Sequence, residues 1–195
     1  MPADRAALPP RRWPGLRLPA WVTALVRAHP APLRGAPTRM RLAIALARAS
    51  AERGGGPFGA AVFERVSGRL VAVGVNLVVA SGCSHAHAEL VALALAERAV
   101  GGFDLGAPGL PRHELVSSSE PCAMCFGAIP WSGVRSLVCG ARASDAEAIG
   151  FDEGPKPARW RAALARRGIS VRRDVLRAEA REVLRRYAEL GGKIY

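Results

Sequence analysis

Apolar positions along this chain fall into short blocks of two kinds, separated by glycine, proline and charge. Residues 60–63 and 70–75 are runs of four to six mostly apolar residues flanking the turn pair Ser67-Gly68, a pattern that predicts two paired strands. Residues 114–117, 137–139 and 169–171 are shorter strand-like runs. Between them lie longer segments with helical spacing: 38–52 with Thr38 as N-cap, 87–100, 122–131, 157–167 and 176–190, after a short apolar helix at 21–28. The helix at 87–100 is apolar almost all round, from Leu90 to Ala96, which predicts burial against a sheet. Strands alternating with helices predict an α/β fold, a three-layer α/β/α sandwich on a mixed five-stranded sheet. The fourth and fifth strands should run parallel, because the connection from Gly140 to Gly168 is long and holds a helix.

A chain of 195 residues, half of them hydrophobic, is long enough for one domain with its own core. Residues 1–37 are rich in proline and arginine and read as a partly flexible extension, leaving 38–195 as the folded domain. No run approaches the roughly 20 apolar residues of a membrane span, and the N-terminal stretch carries no secretory apolar segment. A cytoplasmic location without membrane contact is therefore expected. There the four cysteines are suited to metal or catalytic work rather than disulfides.

The formal charge of +12 raises the question of a nucleic-acid partner. It is unevenly spread: +7 over residues 1–41, −3 over 42–155 and +8 over 156–195. The basic excess sits at the ends, and Arg177, Arg181 and Arg185 would form a solvated face of the last helix.

Two segments of the acidic middle carry chemistry: His87-Ala88-Glu89 and Pro121-Cys122-Ala123-Met124-Cys125. Cys122 and Cys125, three residues apart, share one face of a helical turn, and His87 opens another helix. Two thiolates and a neutral imidazole balance the charge of Zn²⁺ and leave its fourth position open, as catalytic zinc sites do. Glu89, two residues from a ligand, is placed to move protons between a water and a leaving amine. This order of motifs is the H-x-E…P-C-x-x-C signature of zinc deaminases. The nearby His85, Cys83 and Cys139 read as loop or core residues rather than a fourth ligand.

With these segments in view, the sequence resembles the cytidine deaminase-like superfamily over about residues 38–195, and within it the guanine deaminase branch. The superfamily features are Gly55-Gly56-Pro57-Phe58-Gly59-Ala60, Asn76 after the second strand, His87-Ala88-Glu89, and Glu120-Pro121-Cys122-Ala123-Met124-Cys125-Phe126-Gly127-Ala128-Ile129. Trp131, Ala148-Ile149-Gly150-Phe151-Asp152-Glu153 and the terminal Gly192-Lys193-Ile194-Tyr195 point to the branch.

The resemblance implies a Zn²⁺ enzyme that hydrolyses a C–N bond of a free base or nucleoside, with guanine converted to xanthine and ammonia as the leading case. It also implies a homodimer with exchanged C-terminal segments. A base pocket would be formed by Phe58, Asn76, the Ala88 backbone N–H, Trp131 as a wall, Glu153 and Tyr195. The chain departs from the branch at Glu153, where Asp is typical, and at Leu77, where a second Asn often follows the first. The alternatives are a tRNA adenosine deaminase, which shares the zinc motifs and would use the basic ends for phosphate contacts, and a deaminase of cytosine, cytidine or another aminated heterocycle.

Overall fold

The computed structural model describes residues 17–195, so the first part of the Pro/Arg-rich extension lies outside the described residues. In chain order the elements are α1 Ala20–Arg27, α2 Ala36–Ala51, β1 Gly59–Glu64, β2 Leu70–Val75, α3 Val78–Ser81, α4 Ala88–Val100, β3 His113–Ser119, α5 Ala123–Ala128, β4 Ser136–Ala141, α6 Ala143–Glu147, α7 Trp160–Arg166, β5 Ser170–Arg172 and α8 Arg177–Glu189. The sheet has the order β2-β1-β3-β4-β5. β1 is antiparallel to β2 and to β3, whereas β3–β4 and β4–β5 are parallel. The mixed five-stranded sheet and the parallel fourth and fifth strands are as the hydrophobic pattern predicts.

Alternate residues of the central strands feed two cores. Ala61, Phe63, Val116 and Val138 join Met40, Leu46, Val183 and Leu184 of α2 and α8 on one face. Ala60, Val62, Leu115, Leu137 and Cys139 join Ala92, Leu93 and Ala96 of α4 and Leu164 of α7 on the other. Because both faces are covered, the strands show no apolar–polar alternation and read as continuous runs. Gly74 lets β2 approach α4 closely: a Cβ there would stand 2.1 Å from the Ala88 carbonyl oxygen. That approach brings the start of α4 over the sheet.

The boundaries differ from the sequence reading in instructive places. β3 continues past Ser117 to Ser119, because β4 goes on pairing with it as far as Ala141 whatever its side chains are. α5 ends at Ala128 rather than at Trp131. The four- and five-residue helices α3 and α6 are too short to show a period. α1 packs on α2, and the Arg53 guanidinium lies 5.1 Å over the Trp21 ring. Among the described residues no helix is long and apolar enough to cross a membrane.

Candidate active site

β3 leads through Glu120-Pro121 into α5, and Cys122 is the N-cap of that helix. His87 is the N-cap of α4. Both caps have extended backbone, so each side chain projects from the mouth of its helix rather than along its flank. The two mouths converge: His87 Nδ1 lies 3.5 Å from Cys122 Sγ and 3.7 Å from Cys125 Sγ. One ligand atom from each of the three residues falls within 4.8 Å of the others. A zinc ion with bonds of about 2.3 Å to sulfur and 2.0–2.1 Å to nitrogen, at tetrahedral angles, separates N from S by about 3.6 Å. The three residues fit the metal in donor type and in spacing, and no fourth His, Cys, Asp or Glu joins them among the described residues.

Without metal the two thiols divide one proton between them. Cys122 is pushed down to about 4, first by the hydrogen bond from Cys125 and against its own burial, with His87 adding to the fall. Cys125 moves strongly upward, because it is the donor of that bond and is buried beside Glu89. A thiolate beside a thiol, with an imidazole in reach, is a site prepared for a divalent cation.

Glu89 is buried under the same corner. Its Oε1 accepts from Ser117 Oγ at 3.1 Å, and its Oε2 lies 3.6 Å from Cys125 Sγ. Burial first, and the Cys122 charge second, raise its pKa above the usual carboxylate range. A carboxyl group so placed takes up and returns a proton readily.

The remaining wall comes from loops and the chain terminus. Phe58, Asn76, His87, Glu89, Glu120, Cys122, Phe151, Asp152, Glu153 and Tyr195 line one cavity. The Phe58 and Phe151 rings meet edge to face at 4.9 Å, and Phe151 meets Tyr195 in the same way at 5.3 Å. Asn76 Oδ1 accepts the Val78 N–H at 3.1 Å, so its amide N–H groups are what remain for the cavity. Two buried polar atoms on this wall lack partners, Glu153 Oε2 and Tyr195 Oη. Glu153 is raised to about 8 by burial, then by the negative charges of Cys122 and Glu89. An orphaned carboxyl oxygen facing an aromatic slot suits a planar ring bearing N–H groups.

The wall is tied to the metal corner. Ala123 N–H donates to the Glu153 carbonyl at 2.8 Å, and Lys156 Nζ donates to the Pro121 carbonyl at 2.6 Å. Glu120 is held by Arg173 and by the Ala143 N–H. At the other end, Tyr187 Oη donates to the Lys193 carbonyl at 2.7 Å, and Gly192 lies against the Tyr187 ring. The terminal segment thus folds over the cavity of its own chain, and Tyr195 Oη stands 2.0 Å from where a Gly56 Cβ would be.

Of the positions expected from sequence, His87, Glu89, Cys122, Cys125, Phe58, Asn76, Glu153 and Tyr195 come together, with Ala88 as the first residue of α4. Trp131 does not join them. It is 79% exposed and lines a separate groove with Phe103, Leu90 and Leu93 on the outer side of α4. The physical reason is the early end of α5: the turn that follows carries the ring outward. Phe151 and Asp152 line the cavity as part of the segment that the resemblance assigns to the pocket, whereas Glu120 and Ser117 were not among the expected site residues. Ser117–Ser119, three serines in a buried strand, was the one visible signal for the last of them.

The family model for the cytidine and deoxycytidylate deaminase zinc-binding region matches residues 36–141. The solved structure of NE0047 in complex with 2,6-diaminopurine is 53% identical, with 89% of this chain and 93% of that chain covered and a TM-score of 0.84. A structure of guanine deaminase from Nitrosomonas europaea is 52% identical, with 89% and 94% covered and a TM-score of 0.84. Guanine deaminase of Bacillus subtilis is 36% identical over 117 residues, 60% of this chain and 70% of that protein.

Proposed function

The chain belongs to the cytidine and deoxycytidylate deaminase family, and we propose that it hydrolyses guanine to xanthine and ammonia. The observation that carries this reading is the pairing of two carboxyl groups across one narrow cavity. Glu89 lies at the His-Cys-Cys corner, and Glu153, with an unpartnered oxygen, lies on the aromatic wall.

His87, Cys122 and Cys125 would hold Zn²⁺, which supplies a water of lowered pKa and a Lewis acid beside the reacting carbon. Glu89 takes the water's protons and delivers them to the ring nitrogen and the departing amine. The Phe58 and Phe151 edges fix the plane of the base. Glu153 accepts from its N–H groups, while Asn76 and the Ala88 N–H donate to its acceptors. Tyr195 closes the slot and excludes water. The deaminase domain is 38–195, with 1–37 an extension of it.

The basic ends do not make nucleic acid the substrate in this reading. Arg177 is engaged by Asp145 at 2.8 Å, Arg181 by the same carboxylate at 3.9 Å, and Arg185 by Glu182 and Glu189. The arginine face of α8 is therefore partly neutralised by its own neighbours rather than left free for phosphates. The assembly we propose is a homodimer. Exchange of the terminal segments would replace the cis contacts of Tyr195 by the same contacts from a second copy.

Ammonia release should be followed with guanine, guanosine, cytosine, cytidine and adenine on zinc-loaded protein, with sedimentation of the same sample for its oligomeric state. Guanine turnover is expected, falling about 10³-fold in Glu89→Gln with one zinc per chain retained. Turnover of cytidine or adenine but not guanine would overturn the substrate, and a monomeric sediment would overturn the dimer.

A further inference from the structure

Ser117, Ser118 and Ser119 end the central strand β3, and all three are buried. Buried positions in a strand whose sheet is covered on both faces ordinarily carry apolar side chains, so each hydroxyl calls for a reason. Ser118 faces α2, and its Oγ accepts the Gly59 N–H at 3.1 Å, which closes the entry to β1. Ser117 faces the other way, with Leu115, towards α4. There its hydroxyl donates to Glu89 Oε1 at 3.1 Å.

Its surroundings leave room for that bond. Ser117 pairs with Ala60 on β1 and with Cys139 on β4, both small and fully buried. Its backbone is held in the sheet from both sides, so the hydroxyl is fixed relative to the fold. The glutamate it meets hangs from the first turn of a helix on three rotatable bonds. One carboxylate oxygen is thus anchored to the sheet, and the other, Oε2, is turned towards Cys125 Sγ at 3.6 Å.

We propose that Ser117 is a positioning residue: by engaging Oε1 it dedicates Oε2 of Glu89 to the proton transfers of deamination. The inference rests on Glu89 being the acid–base group of the proposed reaction. As the water's oxygen bonds to the ring carbon, one water proton passes to Oε2 and on to the adjacent ring nitrogen. The second proton follows the same route to the amine. The C–N bond breaks, its electron pair leaves with ammonia, and Glu89 ends as the carboxylate it began as. Through both transfers Oε1 stays an acceptor, so the Ser117 bond persists and the carboxylate need not turn between accepting and giving.

Ser117→Ala separates positioning from mere packing. Loss of one hydrogen bond to a charged group lowers kcat for guanine on the order of 10- to 30-fold, with KM within twofold and one zinc per chain. Ser117→Thr, which restores the hydroxyl, recovers most of that loss. In a Glu89→Gln background, read by single turnover, Ser117→Ala costs nothing more. A kcat within twofold of the parent, or an equal loss in both backgrounds, overturns the proposal. If the parent turns over no base, the reaction assignment fails separately, and a crystal structure of zinc-loaded Ser117→Ala still decides. A Glu89 carboxylate that rotates or splits supports positioning, and an unchanged one refutes it.

Discussion

The metal corner and the recognition wall share one cavity and are built on opposite principles. The corner is held by regular structure: one helix N-cap is brought over the sheet by the close approach of β2 to α4, the other follows directly from β3, and that central strand reaches Glu89 through Ser117. The wall is held by loops and by the chain's last residues, whose aromatic rings lean on one another. Geometry that chemistry cannot vary sits on elements whose backbone bonds are internally satisfied. Geometry that selects a ligand sits where sequence can change without disturbing the sheet.

Breaking the corner should have the largest effect. Cys125→Ser replaces a thiol ligand by a hydroxyl that zinc binds poorly, and both zinc content and turnover should fall below a tenth of the parent's. Metal analysis beside the ammonia assay checks this, and a variant retaining full zinc would show that the corner tolerates two protein ligands.

A milder change tests the wall alone. In Gly56→Ala the new methyl would overlap the seat of Tyr195 Oη, displacing the ring tip while leaving zinc in place. KM for guanine should rise about tenfold with zinc unchanged, and the terminus should become more open to carboxypeptidase. Unchanged KM with normal zinc would mean that the tyrosine is not part of the slot.

The smallest effect concerns protons. Glu153 is held at about 8 against the 4.5 of an ordinary glutamate, so between those values the folded protein binds a proton that the unfolded chain does not. Its contribution to stability is present at low pH and declines as pH rises through that interval. Glu153→Gln lacks this term. In metal-free protein its unfolding midpoint should therefore gain on the parent's from about pH 5 to pH 8 and level off above. Parallel midpoints across that range would show that the carboxyl titrates normally.

The two regions also differ in how far they could be read from the chain. His87-Ala88-Glu89 and Cys122-Ala123-Met124-Cys125 were legible because so short a spacing keeps each set at the mouth of one helix, with His87 and Cys122 as the caps. The wall was legible only by resemblance, since nothing in a run such as Phe151-Asp152-Glu153 says that it folds against residue 58 or 195. Trp131 was misplaced because the end of α5 depends on a turn that periodicity does not mark. Ser117 was passed over because serines in a strand-like run read as its end. The strand continues because pairing with β4, not side-chain character, decides it.

The proton shared by Cys122 and Cys125 ties metal acquisition to acidity. An empty corner that keeps one thiol protonated must release that proton as the ion enters, so loading is an exchange of one cation for another. Occupancy then depends on pH as well as on the free metal pool: a fall in pH weakens the hold on zinc, and a rise tightens it. Protons and the ion thus compete for the same two sulfurs.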